Sequence, residues 1–258
     1  MRIRGKRYKK ISKKKLKIYW IAILAVIAIL IGCVLYDFKN VKEDELINDI
    51  AIDKSNIIID NKTERMRELE KLQNENSDIV GWIEIENSNI NYPVLQTTNN
   101  DYYMNHNYKK EISKEGSLFL DKDYDWNLPS TNILIYGHNN RGSTEMFASL
   151  MNYKDEQFYK EHDKIRFTTV EEDAEYEIIA VFLSRVYYKS EKDVFRYYYF
   201  INAENEEEFN EYVNESKKAS LYNIDATAKY GDQLLTLSTC SYHTEDGRLA
   251  VVARKIVE

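Results

Sequence analysis

The chain opens on a polar, basic stretch, passes into an unbroken apolar run, returns to polar sequence, and from about residue 81 alternates apolar and polar positions. The apolar run, Ile18 to Leu35, is eighteen residues without a charge. At about 1.5 Å of rise per residue, roughly twenty apolar residues cross a bilayer core, so residues 18–36 are expected to form one transmembrane helix. Tyr19, Trp20 and Tyr36 lie near its ends, where amphipathic rings favour the membrane–water boundary. Residues 37–77 are expected to be a helical spacer. Met66, Leu69 and Leu72 recur there at i, i+3 and i+6, on one helix face, with Thr63 as the N-cap.

The period then changes to two. Segments 82–85, 90–95, 117–120, 131–136, 164–170, 176–186, 233–239 and 248–257 read as eight strands, with Pro93 marking an edge or a bend in the second. Many short strands at this spacing predict a mainly β domain over residues 78–258, a closed or nearly closed barrel or a sandwich. Two helices interrupt it. One is expected over 143–152, with Ser143 or Thr144 as N-cap and Met146, Phe147 and Leu150 on one face. The other is expected over 203–219, with Phe209, Tyr212 and Val213 as its stripe, inside a long insertion between the sixth and seventh strands. The aromatic run Phe195 to Phe200 ahead of it reads equally as core packing or as the wall of a groove.

Composition narrows the class. Of 258 residues, 43% are hydrophobic, enough for a core; two cysteines exclude a disulfide-stapled miniprotein, and eight glycines with two prolines exclude collagen-like sequence. The net charge of −7 is uneven: ten of the 36 basic residues fall in residues 1–17, leaving 26 against 43 acidic ones and −17 for residues 18–258. A basic arm alone could serve nucleic acid. Followed by an apolar run, it instead reads as a cytoplasmic arm that orients an uncleaved single-pass anchor, with the remainder outside the cell. The alternatives are a cleaved secretory peptide, or a lipobox, Leu30-Ile31-Gly32-Cys33, with Cys33 acylated.

Candidate chemistry gathers at strand ends. Thr236-Leu237-Ser238-Thr239-Cys240 ends a strand on a thiol, held by a rigid element and facing open space. A lone cysteine is often a small buried hydrophobe, and a reactive one needs positive charge nearby. Arg248 starts the next strand; if the two form a hairpin over 241–247, Cys240 and Arg248 face each other across its mouth, while Arg254 lies about 20 Å further along. His138 ends another apolar strand, after Tyr136-Gly137. Cysteine and histidine at neighbouring strand ends suit nucleophilic catalysis. His243 is a rival base, and His106 and His162 lie in polar stretches.

Tyr136-Gly137-His138, the TLSTC segment 236–240 and an arginine shortly after the cysteine resemble the sortases, cell-wall transpeptidases of Gram-positive bacteria. Over residues 75–258 class B is the most similar type, given the anchor, the helical extension and the helix-bearing insertion. The resemblance implies an eight-stranded sortase-type barrel with N-terminal helices. It also implies a cysteine transpeptidase whose catalytic residues are His138, Cys240 and Arg248. Tyr136, Ser238, Asn100 and Met104 are then expected to line the substrate groove, although Asn100 and Met104 also read as a loop residue and a core residue. The implied partners are secreted proteins with a C-terminal N-P-x-T-x or S/P-P-x-T-G signal, and a peptidoglycan amine. No cofactor, metal or nucleic acid is implied; the acidic run Glu171-Glu172-Asp173 reads as a solvated turn. A hydrolase passing the acyl group to water and a non-catalytic binding module are the competing readings.

Overall fold

The computed structural model describes residues 61–257. The expected basic arm, the membrane anchor and Cys33 lie outside the described residues; among the described residues, no helix is long and apolar enough to cross a membrane.

Helix α1 (Asn61–Glu75) carries the expected stripe: Leu69 is fully buried, with Met66 and Leu72 half-buried beside it. Thr63 falls inside the helix, so it is not its N-cap. The Arg65 guanidinium lies 4.5 Å over the Trp82 ring and 3.7 Å from the Glu84 carboxylate, which ties α1 to the first strand. Beyond the helix, buried Asn76 donates from Nδ2 to the Tyr103 hydroxyl and the Tyr108 carbonyl, fixing the exit angle.

The strands are β1 (Ile79–Glu84), β2 (Asn91–Leu95), β3 (Leu118–Leu120) and β4 (Asn132–Gly137). A short helix α2 (Glu156–Glu161) leads to β5 (Lys164–Thr168) and β6 (Asp173–Arg185). Helix α3 (Glu206–Ala219) then precedes β7 (Leu234–Cys240) and β8 (Gly247–Lys255). They close into a barrel in the order β1-β2-β3-β4-β7-β8-β6-β5. All neighbours are antiparallel except β2/β3 and β4/β7. Among the described residues, closure gives every strand of the barrel a neighbour on both sides. Pro93 is tolerated in β2 because β3 is short and pairs only with Val94 and Leu95, leaving Pro93 a ladder partner only at Trp82 of β1.

Alternating side chains of the strands fill the barrel, among them Ile83, Val94, Leu118, Ile135, Phe167, Val181, Leu237 and Val251. A second cluster covers the outside of β6, β7 and β8: Phe182, Ala250 and Val252 pack under Tyr197, Phe209, Tyr212 and Val213 of the insertion. Both faces of these strands are therefore buried, which explains the unbroken apolar run Ala250-Val251-Val252-Ala253. Asn205 caps α3, its side chain accepting from the Glu208 N–H, so the helix starts three residues later than expected.

The helix expected over 143–152 does not form. Met146 adopts φ +51°, a left-handed conformation that interrupts any helix there. The Phe147 N–H donates to the His138 carbonyl, and a 3₁₀ turn, Ser149–Lys154, follows before Asp155 caps α2. Met146, Phe147 and Leu150 are nonetheless buried in the core. Their spacing reports burial, and the contact back to His138 decides the backbone.

Candidate active site

Strand register brings three candidate residues to one end of the barrel. The parallel β4/β7 pairing runs up to Gly137 opposite Thr239, so His138 and Cys240 leave adjacent strands side by side. The antiparallel β7/β8 pairing places Cys240 directly opposite Arg248. All three side chains are half-buried. Arg254 pairs with Leu234 at the other end of β7 and is engaged with Glu177 at 2.6 Å, so it is far from the thiol.

Local packing holds each strand end in place. A Cβ at Gly137 would stand 2.3 Å from Leu118 Cδ2 and 2.7 Å from the Phe147 ring, so only glycine fits ahead of His138. At Gly247, ahead of Arg248, a Cβ would meet the Ser241 carbonyl oxygen at 2.2 Å; Ser241 N–H donates to the Gly247 carbonyl and closes the hairpin loop. The loop is further tied by Asn139, whose Nδ2 donates to the Cys240 carbonyl, and by Tyr242, whose hydroxyl donates to the Asn139 carbonyl. Arg141 stacks over the Tyr242 ring at 4.5 Å. His243 Nδ1 contacts Ser241 Oγ at 2.9 Å within this loop.

The imidazole of His138 is oriented by a backbone group: Nε2 is 2.6 Å from the Met104 carbonyl oxygen. A carbonyl only accepts, so this contact assigns the proton to Nε2 and leaves Nδ1 as the basic nitrogen of the neutral ring. Arg248 Nη1 donates to the Gly247 carbonyl at 2.9 Å and the Asp246 carbonyl at 3.2 Å. Its remaining N–H groups are available to an oxygen near Cys240.

Strand alternation puts Thr236, Ser238 and Cys240 on one face of β7, and that face looks toward the insertion. Thr236 meets the Tyr212 hydroxyl, and Ser238 Oγ meets the Tyr197 hydroxyl at 2.7 Å. Burial pushes the Tyr197 phenol pKa well up, with the nearby Arg248 charge pulling the other way, so it stays a neutral hydroxyl at the foot of the site. Only Cys240, last on this face, reaches beyond the packed insertion.

The expected groove residues divide. Met104 is 44% exposed, with its side chain open to solvent, and its carbonyl holds His138. Ser238 is buried at 2% exposure and turned toward Tyr197, so it supports the site from beneath. Asn100 is occupied at both ends of its amide, Nδ2 donating to Asp121 and Oδ1 accepting from the Lys122 N–H. Tyr136 donates its hydroxyl to the same Asp121 carboxylate. The aromatic run serves mainly as core, through Phe195 and Tyr197 against Phe182, while Tyr199 remains 67% exposed. Sequence pattern alone does not mark Tyr197, Asn139 or Asp121 individually. Tyr197 lay within the aromatic run and Asn139 beside the histidine; Asp121 had no signal beyond following a strand.

A Sortase domain family model matches residues 83–256. Sortase B of Listeria monocytogenes is 34% identical over 195 residues, 74% of this chain and 75% of that protein. Sortase B of Staphylococcus aureus is 30% identical over 238 residues, 91% of this chain and 94% of that protein. The structure of a Staphylococcus aureus sortase B–substrate complex superposes with a TM-score of 0.64 at 29% identity, covering 74% of this chain and 85% of that one. A matched domain over most of the chain, class B relatives and a shared barrel lead to one conclusion: the chain belongs to the sortase family of cell-wall transpeptidases, on its class B side.

Proposed function

We propose that the chain is a membrane-anchored cysteine transpeptidase that cleaves a C-terminal sorting signal after threonine and joins the protein to a peptidoglycan amine. The observation that carries this reading is the register that sets Cys240 opposite Arg248 and beside His138 at one barrel end. The Cys240 thiolate attacks the threonine carbonyl carbon, and Arg248 N–H groups receive the oxyanion that develops. The scissile C–N bond breaks as His138 gives its proton to the departing amine, leaving a thioester on Cys240. The incoming amine then attacks the thioester carbon. Its surplus proton passes to His138, the C–S bond breaks, and the thiolate is regenerated with a new amide.

Membrane anchoring through residues 18–36 and a sorting signal of N-P-x-T-x or S/P-P-x-T-G type complete the proposal. Anchoring would hold enzyme, secreted substrate and lipid-linked amine in one layer, raising their effective concentration. The test incubates the full chain, in detergent, with peptides carrying each signal and looks for an acyl adduct on Cys240 by mass spectrometry. Adduct formation with one signal, its transfer to an added amine, and loss of both in Cys240→Ala are expected. No adduct with any signal, together with a thiol that alkylates like a free cysteine, would refute the reading. Release to water that no amine can divert would replace it with hydrolysis.

A further inference from the structure

Asp121 lies just after β3 and is 5% exposed; the neighbouring Lys122 ammonium feels its charge but pairs directly with Asp123. A carboxylate this buried, with no direct ion-pair contact of its own, depends chiefly on hydrogen-bond donors. Its Oδ2 accepts from Asn100 Nδ2 at 3.0 Å and from the Tyr136 hydroxyl at 2.9 Å, and its Oδ1 from the Asp123 N–H at 2.9 Å. The two side-chain donors come from segments far apart in sequence, and each leads directly to His138. Tyr136 is two residues before it on β4. Asn100 is four residues before Met104, whose carbonyl takes the His138 Nε2 proton.

The path from Asn100 to that carbonyl is stiff. Asn100 Oδ1 accepts from the Lys122 N–H, so the residue is clamped to the chain around Asp121 from both ends. Asn99 Oδ1 accepts from the N–H groups of Asp101 and Tyr102 and starts the 3₁₀ turn Tyr102–Met104. The Tyr103 carbonyl is held by the Ser117 N–H at 2.9 Å. Asp121 therefore sits where one group can set both halves of the His138–Met104 contact.

We infer that Asp121 is a positioning residue: its carboxylate pins the strand end that carries His138 and the loop that presents the Met104 carbonyl, and so fixes the imidazole as its Nε2–H tautomer. The inference rests on the reading of His138 as the acid–base group. Burial and the Asp121 charge both raise the Tyr136 phenol pKa, so Tyr136 remains a donor throughout the working range. With Nε2–H committed to a carbonyl, the proton exchanged during acyl transfer is carried on Nδ1. A released loop would let the ring rotate or exchange tautomers, and misplacement of a reacting group by about 1 Å costs on the order of 10²-fold in rate.

The test uses the full chain labelled with ¹⁵N-histidine, with His138→Gln identifying the His138 signals. In the unaltered protein the neutral imidazole is expected to show a proton on Nε2 and none on Nδ1. Asp121→Ala is expected to mix the tautomers and to slow acyl-adduct formation on the order of 10²-fold in kcat, with KM nearly unchanged. Asp121→Asn keeps the shape and one accepting oxygen, so it should recover part of both losses. An unaltered His138 tautomer in Asp121→Ala, with kcat within about threefold of the parent, would overturn the inference. If Asp121→Ala does not fold, Asp121→Asn and Tyr136→Phe carry the same two readouts, and no change in either variant overturns it. Failure of the parent chain to form any adduct would sink the transpeptidase reading instead, and the tautomer measurement would still decide the role of Asp121 in placing the ring.

Discussion

Tyr197 and Ser238 offer the sharpest energetic test of how the insertion supports the thiol. Their hydroxyls are 2.7 Å apart, Tyr197 is fully buried and Ser238 is 2% exposed. Neither can turn to water when its partner is lost. Tyr197→Phe leaves Ser238 Oγ buried and unsatisfied, which costs about 1–3 kcal/mol; Ser238→Ala strands the phenol at similar cost. The double variant removes both polar groups together and leaves no orphan. It should therefore be no less stable than either single variant, giving a coupling of at least about 1–3 kcal/mol. For a domain of this size each kcal/mol corresponds to about 2–4 °C in Tm, so each single variant should melt several degrees lower. Urea titration followed by tryptophan fluorescence, run on the parent, both singles and the double, measures the cycle. Strictly additive losses would refute the argument, because they would mean that the two hydroxyls do not depend on each other. Ser238 lies two residues before Cys240 on the same strand face, so the same variants report on the site. Tyr197→Phe should change the alkylation rate of Cys240, and an unchanged rate would separate the insertion from the chemistry.

Three further outcomes are expected. Gly137→Ala forces a methyl against Leu118 and Phe147 and should destabilise by about 1–3 kcal/mol, lowering Tm by several degrees in a thermal melt and slowing acylation through displacement of His138. Arg248→Lys keeps the charge but loses the fork of donors, so acyl-adduct formation should fall on the order of 10²-fold while circular dichroism is unchanged; parental kinetics would remove Arg248 from the oxyanion role. The third outcome concerns alkaline stability. Burial raises the phenol pKa of Tyr92 to about 12 and pushes Tyr153, Tyr176 and Tyr212 up as well. A folded pKa above the unfolded one contributes stability that is whole below about pH 10 and is lost as pH rises through the folded values. Absorbance at 295 nm should therefore show only part of the 21 tyrosines ionising near pH 10, the rest following in a cooperative step with unfolding; all ionising together near pH 10 in a folded chain would contradict the burial.

Much of the architecture was legible because burial leaves a period. The eight strands read as alternating or apolar segments, and the insertion helix read from Phe209, Tyr212 and Val213, since these side chains pack as that period requires. That a thiol, an imidazole and a guanidinium stand at the ends of apolar strands was legible as well. The apolar spacing of Met146, Phe147 and Leu150 is equally clear and has helical period, yet no helix forms there. Spacing records which side chains are buried, whereas a left-handed Met146 and a bond to the His138 carbonyl decide the path between them.

Adjacency was not in the sequence. That β4 lies beside β7, and that their parallel register brings residue 138 to residue 240, depends on barrel closure over about a hundred residues of intervening chain. The same holds for Asp121, which carries no local pattern and becomes a hub only when a loop and a strand fold onto it. It holds for Ser238, expected to line the groove from the sortase resemblance, whose hydroxyl the insertion covers with Tyr197. Local sequence determines which groups are apolar, which are reactive and where elements start and stop, because those follow from each residue's own solvation and backbone preference. The hairpin register that sets Cys240 opposite Arg248 is local in this sense, but which groups from distant strands meet, and whether a polar side chain faces solvent or the core, was decided only by long-range packing.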